Sequence, residues 1–330
     1  MSGYYLAVDF GASGGRHIAA HIENGRIVMR EIYRFPNGPI VRDGHMCWDL
    51  LYLTKQLLEG MRRCQELGII PEAMGIDTWG LDYVFLDRHG ELLGQAVNHR
   101  DSRTRGIYRQ IFEIVPQDEI YHRTGIQMAE FNTLCQLMSV KRDEPHLFDK
   151  TAVMLMIPDY FNYVLTGVTA QEYSNASTTQ LMKAGKREWD WDLIRKLGLP
   201  ENLFMPVRMP GESLGTLRKE VIKEVGFDCR VILPPTHDTA SAFLALPPES
   251  FGIPAISSGT WSLVGRETDE TVLSEYAGEN GFTNEGGFEG RNLLLKNSMG
   301  LWMIQSIRRE AGADISYEQL CREAESASIC

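Results

Sequence analysis

The sequence predicts an α/β protein of two lobes with a cleft between them. Two observations carry this: 330 residues exceed one ordinary domain, and a strand–glycine turn–strand unit appears at the start and again near residue 259, with a long helix-rich stretch between. Lobes of roughly 100 to 230 residues could each bury a core.

Tyr4 to Asp9 reads as a buried strand, Gly11-Ala12-Ser13-Gly14-Gly15 as a turn, and Arg16 to Ile22 as a second strand. Asn24-Gly25 marks another turn, after which Arg26 to Tyr33 alternates as a third strand, giving an antiparallel meander. A dinucleotide-binding βαβ unit does not begin this way. Leu50, Leu53, Leu57, Leu58 and Met61 fall at helical spacing within 49–64, and Ala73 to Thr78 and Tyr83 to Leu86 follow as short strands around Trp79-Gly80. From 102 to 228 the chain reads as helix-rich, an insertion on the first lobe, with a helix from Ala152 to Leu165 stopped at Gly167. Residues 1–230 are expected to form the first lobe. A strand at Val231-Ile232-Leu233 is expected to open the second, followed by a small-residue helix from Ala240 to Leu246 and two strands joined at Gly259-Thr260.

Composition excludes some functions. A net charge of -11 argues against a nucleic-acid surface, which needs clustered Lys and Arg. No apolar stretch reaches the ~20 residues that span a bilayer, and residues 1–5 carry no basic leader, so a cytoplasmic protein without a membrane partner is expected. The six cysteines lack CxxC spacing and are expected to be reduced, buried thiols. Oligomeric state is not legible.

The segment Asp9 to Arg16 places an acid at a strand end, then small residues whose amides can approach a phosphate, then a cation. It lacks the Lys-Ser/Thr ending of a P-loop, and a plain glycine-rich hairpin is the alternative. The second turn, Ser258-Gly259-Thr260, favours a phosphate clamp from each lobe. Between them in sequence, His237-Asp238 stands at a strand end where a carboxylate can accept a hydroxyl proton, with an N-cap as Asp238's structural alternative. Trp79-Gly80 offers an apolar wall and an open position for a sugar, against simple core packing.

These segments, together with Gly75 to Asp82, His99 to Arg103, Pro158-Asp159, Leu165-Thr166-Gly167, Asn175 to Gln180 and Asn297 to Trp302, closely resemble the FGGY carbohydrate kinases nearly end to end. The resemblance implies two actin-like ATPase (ribonuclease H-like) lobes around a nucleotide cleft, and ATP-dependent phosphorylation of a ketose 1-hydroxyl, L-rhamnulose before L-fuculose or D-xylulose. It implies Asp238 as general base, with Ala12, Ser13, Gly14, Gly15, Arg16, Gly259 and Thr260 on the ATP phosphates and Gln305 at the nucleotide. Gly80, Trp79, His237, Thr239 and Asn297 would hold the sugar, and Asp9 would position Mg2+ through water. The family's pattern runs on beyond residue 330 through a glycine-rich adenine-binding segment. The second lobe is therefore expected to be incomplete, with an apolar face uncovered. A sugar-binding or regulatory module without turnover is the alternative; an actin-like chaperone or phosphatase would not explain His237-Asp238 with Asn297.

Overall fold

The computed structural model describes residues 3–312 and 315–327. The opening meander forms as the pattern predicts: β1 (Tyr4–Gly11), β2 (Gly14–Glu23) and β3 (Arg26–Pro36) pair antiparallel. Alternation buries Leu6, Val8 and Phe10 on one face of β1. They meet α1 (Leu50–Glu66), which is capped by Asp49 through a 3.0 Å bond from the Tyr52 amide and buries Leu50, Leu53, Leu57, Leu58 and Met61. The next strand, β4 (Pro71–Thr78), runs parallel to β1, with Asp77 beside Asp9.

The following strand, β5 (Tyr83–Leu86), leaves that sheet for a smaller one with β6 (Leu92–Leu93) and β7 (Val153–Met156). β7 corrects the helix expected from Ala152: all four of its residues are buried, and Pro158 favours a helix start, so α2 (Ile157–Thr166) begins only there and ends at Gly167 in the left-handed region. An apolar run of this length does not distinguish strand from helix. The short α3 (Tyr173–Ser177) follows, and β8 (Ser213–Thr216) and β9 (Arg230–Ile232) complete the first sheet in the order β8-β9-β4-β1-β2-β3.

Because β9 pairs parallel with β4, the strand expected to open the second lobe belongs to the first sheet, and the boundary placed at 231 is too early. A three-residue strand carries no signal of its partner. The second sheet begins at β10 (Ala255–Ser258) and is ordered β10-β11-β13-β12, with β11 at Trp261–Thr268, β12 at Phe282–Gly286 and β13 at Asn292–Met299. Between the two sheets lies α4 (Asp238–Leu244), which packs against β4 and β10 and sends Ala240 and Phe243 into a small core with Leu293 and Leu295. The expected uncovered apolar surface is present: Ile256, Val264, Met299, Leu301, Met303, Ile304 and Ile307 are all exposed. Five cysteines are free thiols, four of them buried and Cys321 exposed; Cys330 lies outside the described residues.

Candidate active site

Three carboxylates converge at the carboxyl ends of adjacent strands. Asp9 and Asp77 are register partners on β1 and β4, and His237 bridges to Thr78, which brings Asp238 to the same edge. The structural alternative for Asp238 does not hold: His237 is the N-cap of α4 and Asp238 its first residue, its side chain about two-fifths exposed. Burial raises the Asp238 pKa above its ordinary value, the His237 charge opposes that rise, and the Asp9 charge adds to it. Asp77 is pushed up further, first by burial and then by the charges of Asp9 and Asp238, so its neutral form is favoured. Sequence reasoning gave Asp77 no role. Its signal was an acid at a strand end, the same signal that singled out Asp9.

At the first glycine turn, Gly11 and Gly14 face each other across β1 and β2, and Asn37 ties the turn to β3 by donating from Nδ2 to the Gly11 carbonyl at 2.9 Å. Glycine is required at position 15, where a Cβ would stand 2.2 Å from the Phe35 ring. Arg16 folds back onto Asp9, Nε to Oδ2 at 2.9 Å, with both side chains partly exposed, a pair weak enough to give way to a more strongly charged anion. Ala12 and Ser13 complete the turn.

The second turn, Gly259-Thr260, joins β10 to β11 and is fastened to α5 (Trp302–Ala311): the amides of Leu301 and Trp302 donate to the carbonyls of Gly259 and Thr260 at 2.9 and 3.2 Å. Gln305 lies half-buried on that helix, and Asn297 on β13 pairs with Leu263 of β11.

The expected sugar side is built around a buried acid. Asp82 Oδ2 accepts from Trp48 Nε1 at 2.6 Å and Trp79 Nε1 at 3.0 Å, and stands 3.0 Å from His99 Nδ1. Trp79 packs on Trp48 with centroids 4.1 Å apart, so its indole is part of the core. At Gly80 a Cβ would meet the Thr178 side chain at 3.1 Å. Thr239 is buried beside Asp238, its hydroxyl donating to Oδ1 at 3.3 Å.

The Asn175 to Gln180 segment braces this edge. Asn175 Nδ2 donates to the carbonyls of Trp79 and Thr236, both at 3.3 Å, and Thr178 Oγ1 accepts from the Leu81 amide at 3.2 Å. Beside it, buried Glu172 accepts at Oε2 from the Thr236 amide and hydroxyl at 3.0 and 2.6 Å and from the Ser174 hydroxyl at 2.6 Å. Ser174 Oγ in turn accepts from the His237 amide at 3.2 Å. Sequence reasoning missed Glu172, because nothing local distinguishes a buried glutamate before a short helix from an exposed one.

The two sheets meet beside His237. Asn284 of β12 donates from its amide to Gly125 O at 2.8 Å, and the Gly286 amide donates to Ser177 Oγ at 2.7 Å. Between them, Glu285 Oε2 stands 3.1 Å from His237 Nδ1. Among the described residues no three His, Cys, Asp or Glu side chains form a metal cage. Asp9 beside Asp77 offers instead an all-oxygen edge suited to a cation that keeps most of its waters.

The first sheet thus carries a carboxylate at a strand end and one glycine turn, and the second sheet carries the other glycine turn. Residues 4–245 match the FGGY family of carbohydrate kinases, N-terminal domain, and the chain belongs to that family. It is 46% identical over 326 residues to a rhamnulokinase of Halalkalibacterium halodurans, covering 99% of this chain and 69% of that one. A rhamnulokinase of Oceanobacillus iheyensis is 43% identical, with 98% and 69% covered. Among solved structures, a xylulose kinase and a gluconate kinase from Lactobacillus acidophilus superpose with TM-scores of 0.80 and 0.83 at 18% identity, covering 98% and 99% of this chain and 66% of each of theirs. The architecture is thus that of the sugar kinases, mixed α/β and consistent with the actin-like ATPase fold. The chain spans about two thirds of the length of these relatives. Among the described residues no helix is long and apolar enough to cross a membrane.

Proposed function

We propose that this chain carries the phosphoryl-transfer site of a ketose kinase, with ATP as donor and L-rhamnulose as the first sugar to test, ahead of L-fuculose and D-xylulose. Asp238 accepts the proton of the sugar 1-hydroxyl as that oxygen attacks the γ-phosphorus and the bond to ADP breaks. The amides of Ala12 to Gly15, Arg16 and the Gly259-Thr260 turn hold the phosphates, and Gln305 lies at the nucleotide. Gly80, Trp79, His237, Thr239 and Asn297 orient the sugar. Mg2+, held through water at Asp9, would offset phosphate charge when bound.

The observation that carries the reading is the placement of Asp238: a partly exposed carboxylate at the carboxyl-end edge of the first sheet, on the helix between the two sheets, its pKa raised above the ordinary value first by burial. The names of the two rhamnulokinase relatives supply the choice of sugar.

A coupled ADP-release assay with Mg-ATP and each ketose tests this. Asp238→Asn is expected to lose about 10² to 10⁴ in kcat while sugar still raises the melting temperature. Near-normal turnover in the variant would remove Asp238 from the role. Sugar-induced stabilisation without turnover in the unsubstituted chain would favour a binding module.

A further inference from the structure

One residue of the second sheet reaches into the first lobe's site. Glu285 is the next-to-last residue of β12, and the bonds of Asn284 to Gly125 and of Gly286 to Ser177 hold the strand on both sides of it. Its Oε2 stands 3.1 Å from His237 Nδ1, with both side chains under one tenth exposed. The other ring nitrogen, Nε2, lies 3.5 Å from Asp238 Oδ1.

We propose that Glu285 is a positioning residue: it holds Nδ1 of His237, presents Nε2 to Asp238 and the cleft, and does so only while the two lobes are together. This rests on the reading of Asp238 as base.

His237 Nδ1 and Glu285 Oε2 are both buried and, among the described residues, neither makes a hydrogen bond to any other group, so each is the polar group that faces the other. A carboxylate at this distance favours a proton on Nδ1 and orients the ring toward it. The main chain of His237 is held separately, by Ser174 and the bridge to Thr78, so Glu285 governs the ring. The charged groups acting on the ring are Glu285 from β12, Asp238 from α4 and Glu172 from the segment before α3, all of them acids. Asp9 of β1 acts on Asp238 from beyond. Burial disfavours the imidazolium, but the close Glu285 carboxylate together with the Asp238 and Glu172 charges outweighs it and leaves the His237 pKa above its ordinary 6.5. That positive charge opposes the rise in the Asp238 pKa. Removing the Glu285 charge therefore moves both groups: the His237 pKa falls and that of Asp238 rises.

The test uses the 330-residue chain with Glu285→Gln, Glu285→Ala, His237→Asn and the double variant His237→Asn/Glu285→Ala. Nitrogen-15 NMR of His237, assigned by its loss in His237→Asn, needs no turnover. It is expected to show a proton on Nδ1 in the neutral ring, and a lower His237 pKa in Glu285→Gln. In kinetics with L-rhamnulose, Glu285→Ala is expected to lower kcat/KM by about tenfold or more, because it leaves the buried Nδ1 of His237 without the one charged group that faces it. In the His237→Asn background the same change should cost less than about twofold, because Glu285 acts through that ring. Should Glu285→Ala not fold, Glu285→Gln carries the NMR arm and an upward shift of the acid limb of kcat/KM. An unchanged His237 titration in Glu285→Gln, or losses that multiply in the double variant, would overturn the proposal. If the unsubstituted chain turns over no ketose, the kinase reading fails, and the NMR result alone still decides the Glu285–His237 pairing.

Discussion

His17 makes the first lobe sensitive to acid by an amount the structure sets. It lies on β2, two residues past the glycine turn, its ring fully buried between β2 and α1 and donating from Nε2 to the Leu57 carbonyl at 3.1 Å. Its edge meets Tyr33 and its face is close enough to Gly60 that a Cβ there would stand 2.4 Å away. Among the described residues no carboxylate pairs with it, so burial pulls its pKa from 6.5 to about 4, with the Leu57 bond opposing. A folded-state value below the unfolded one means that the unfolded chain binds the extra proton between pH 6.5 and 4. Stability is complete above 6.5 and falls as pH drops toward 4. Lowering the value from 6.5 to about 4 corresponds to about 3 kcal/mol over the window, of which about 2 kcal/mol is gone by pH 5. Asp77, Asp159 and Glu172 carry raised pKa values and tilt the profile the opposite way, so only the difference between two proteins isolates His17. Urea unfolding from pH 4.5 to 7.5 on the wild type and His17→Gln, whose amide can still reach Leu57, supplies that difference. Parallel profiles within about 0.5 kcal/mol would refute the reasoning.

Two further substitutions probe the walls of the site. Gly15→Ala puts a Cβ into the Phe35 ring, and because that ring is core it cannot swing away; a loss of about 1–3 kcal/mol in urea unfolding and weaker ATP-induced stabilisation are expected, and a fully stable variant with normal ATP response would show that the turn tolerates a side chain. Trp48→Phe removes the 2.6 Å donor to Asp82 and leaves a buried acceptor short of one partner, with an expected cost of about 1–3 kcal/mol; a melting temperature equal to that of the wild type would mean Trp79 and His99 suffice.

Much of the site was legible because its chemistry is carried by short, contiguous segments. The turn at Gly11 to Arg16, the His237-Asp238 pair and the Gly259-Thr260 turn each announce themselves by residue type and local order, and the meander around the first turn follows from alternation alone. Resemblance then named the family, which the match over residues 4–245 supports. What the sequence left open were pairings between distant segments. A three-residue strand at Arg230–Ile232 says nothing about which sheet accepts it, and only the parallel register with β4 assigns it to the first lobe. The run Val153 to Met156 becomes a strand because it pairs antiparallel with the edge of β5 that β6 leaves open, not because its composition excludes a helix. Asp77, Glu172 and Glu285 are ordinary acids in sequence. Each acquires its role from burial against groups between roughly 50 and 70 residues away: Asp9 across a strand pair, Thr236 across the brace, and His237 across the joint between sheets. Local order determines which residues carry chemistry along this chain. The low dielectric of the packed interior, which makes a 3 Å contact between distant groups decisive, determines how they are charged and aimed.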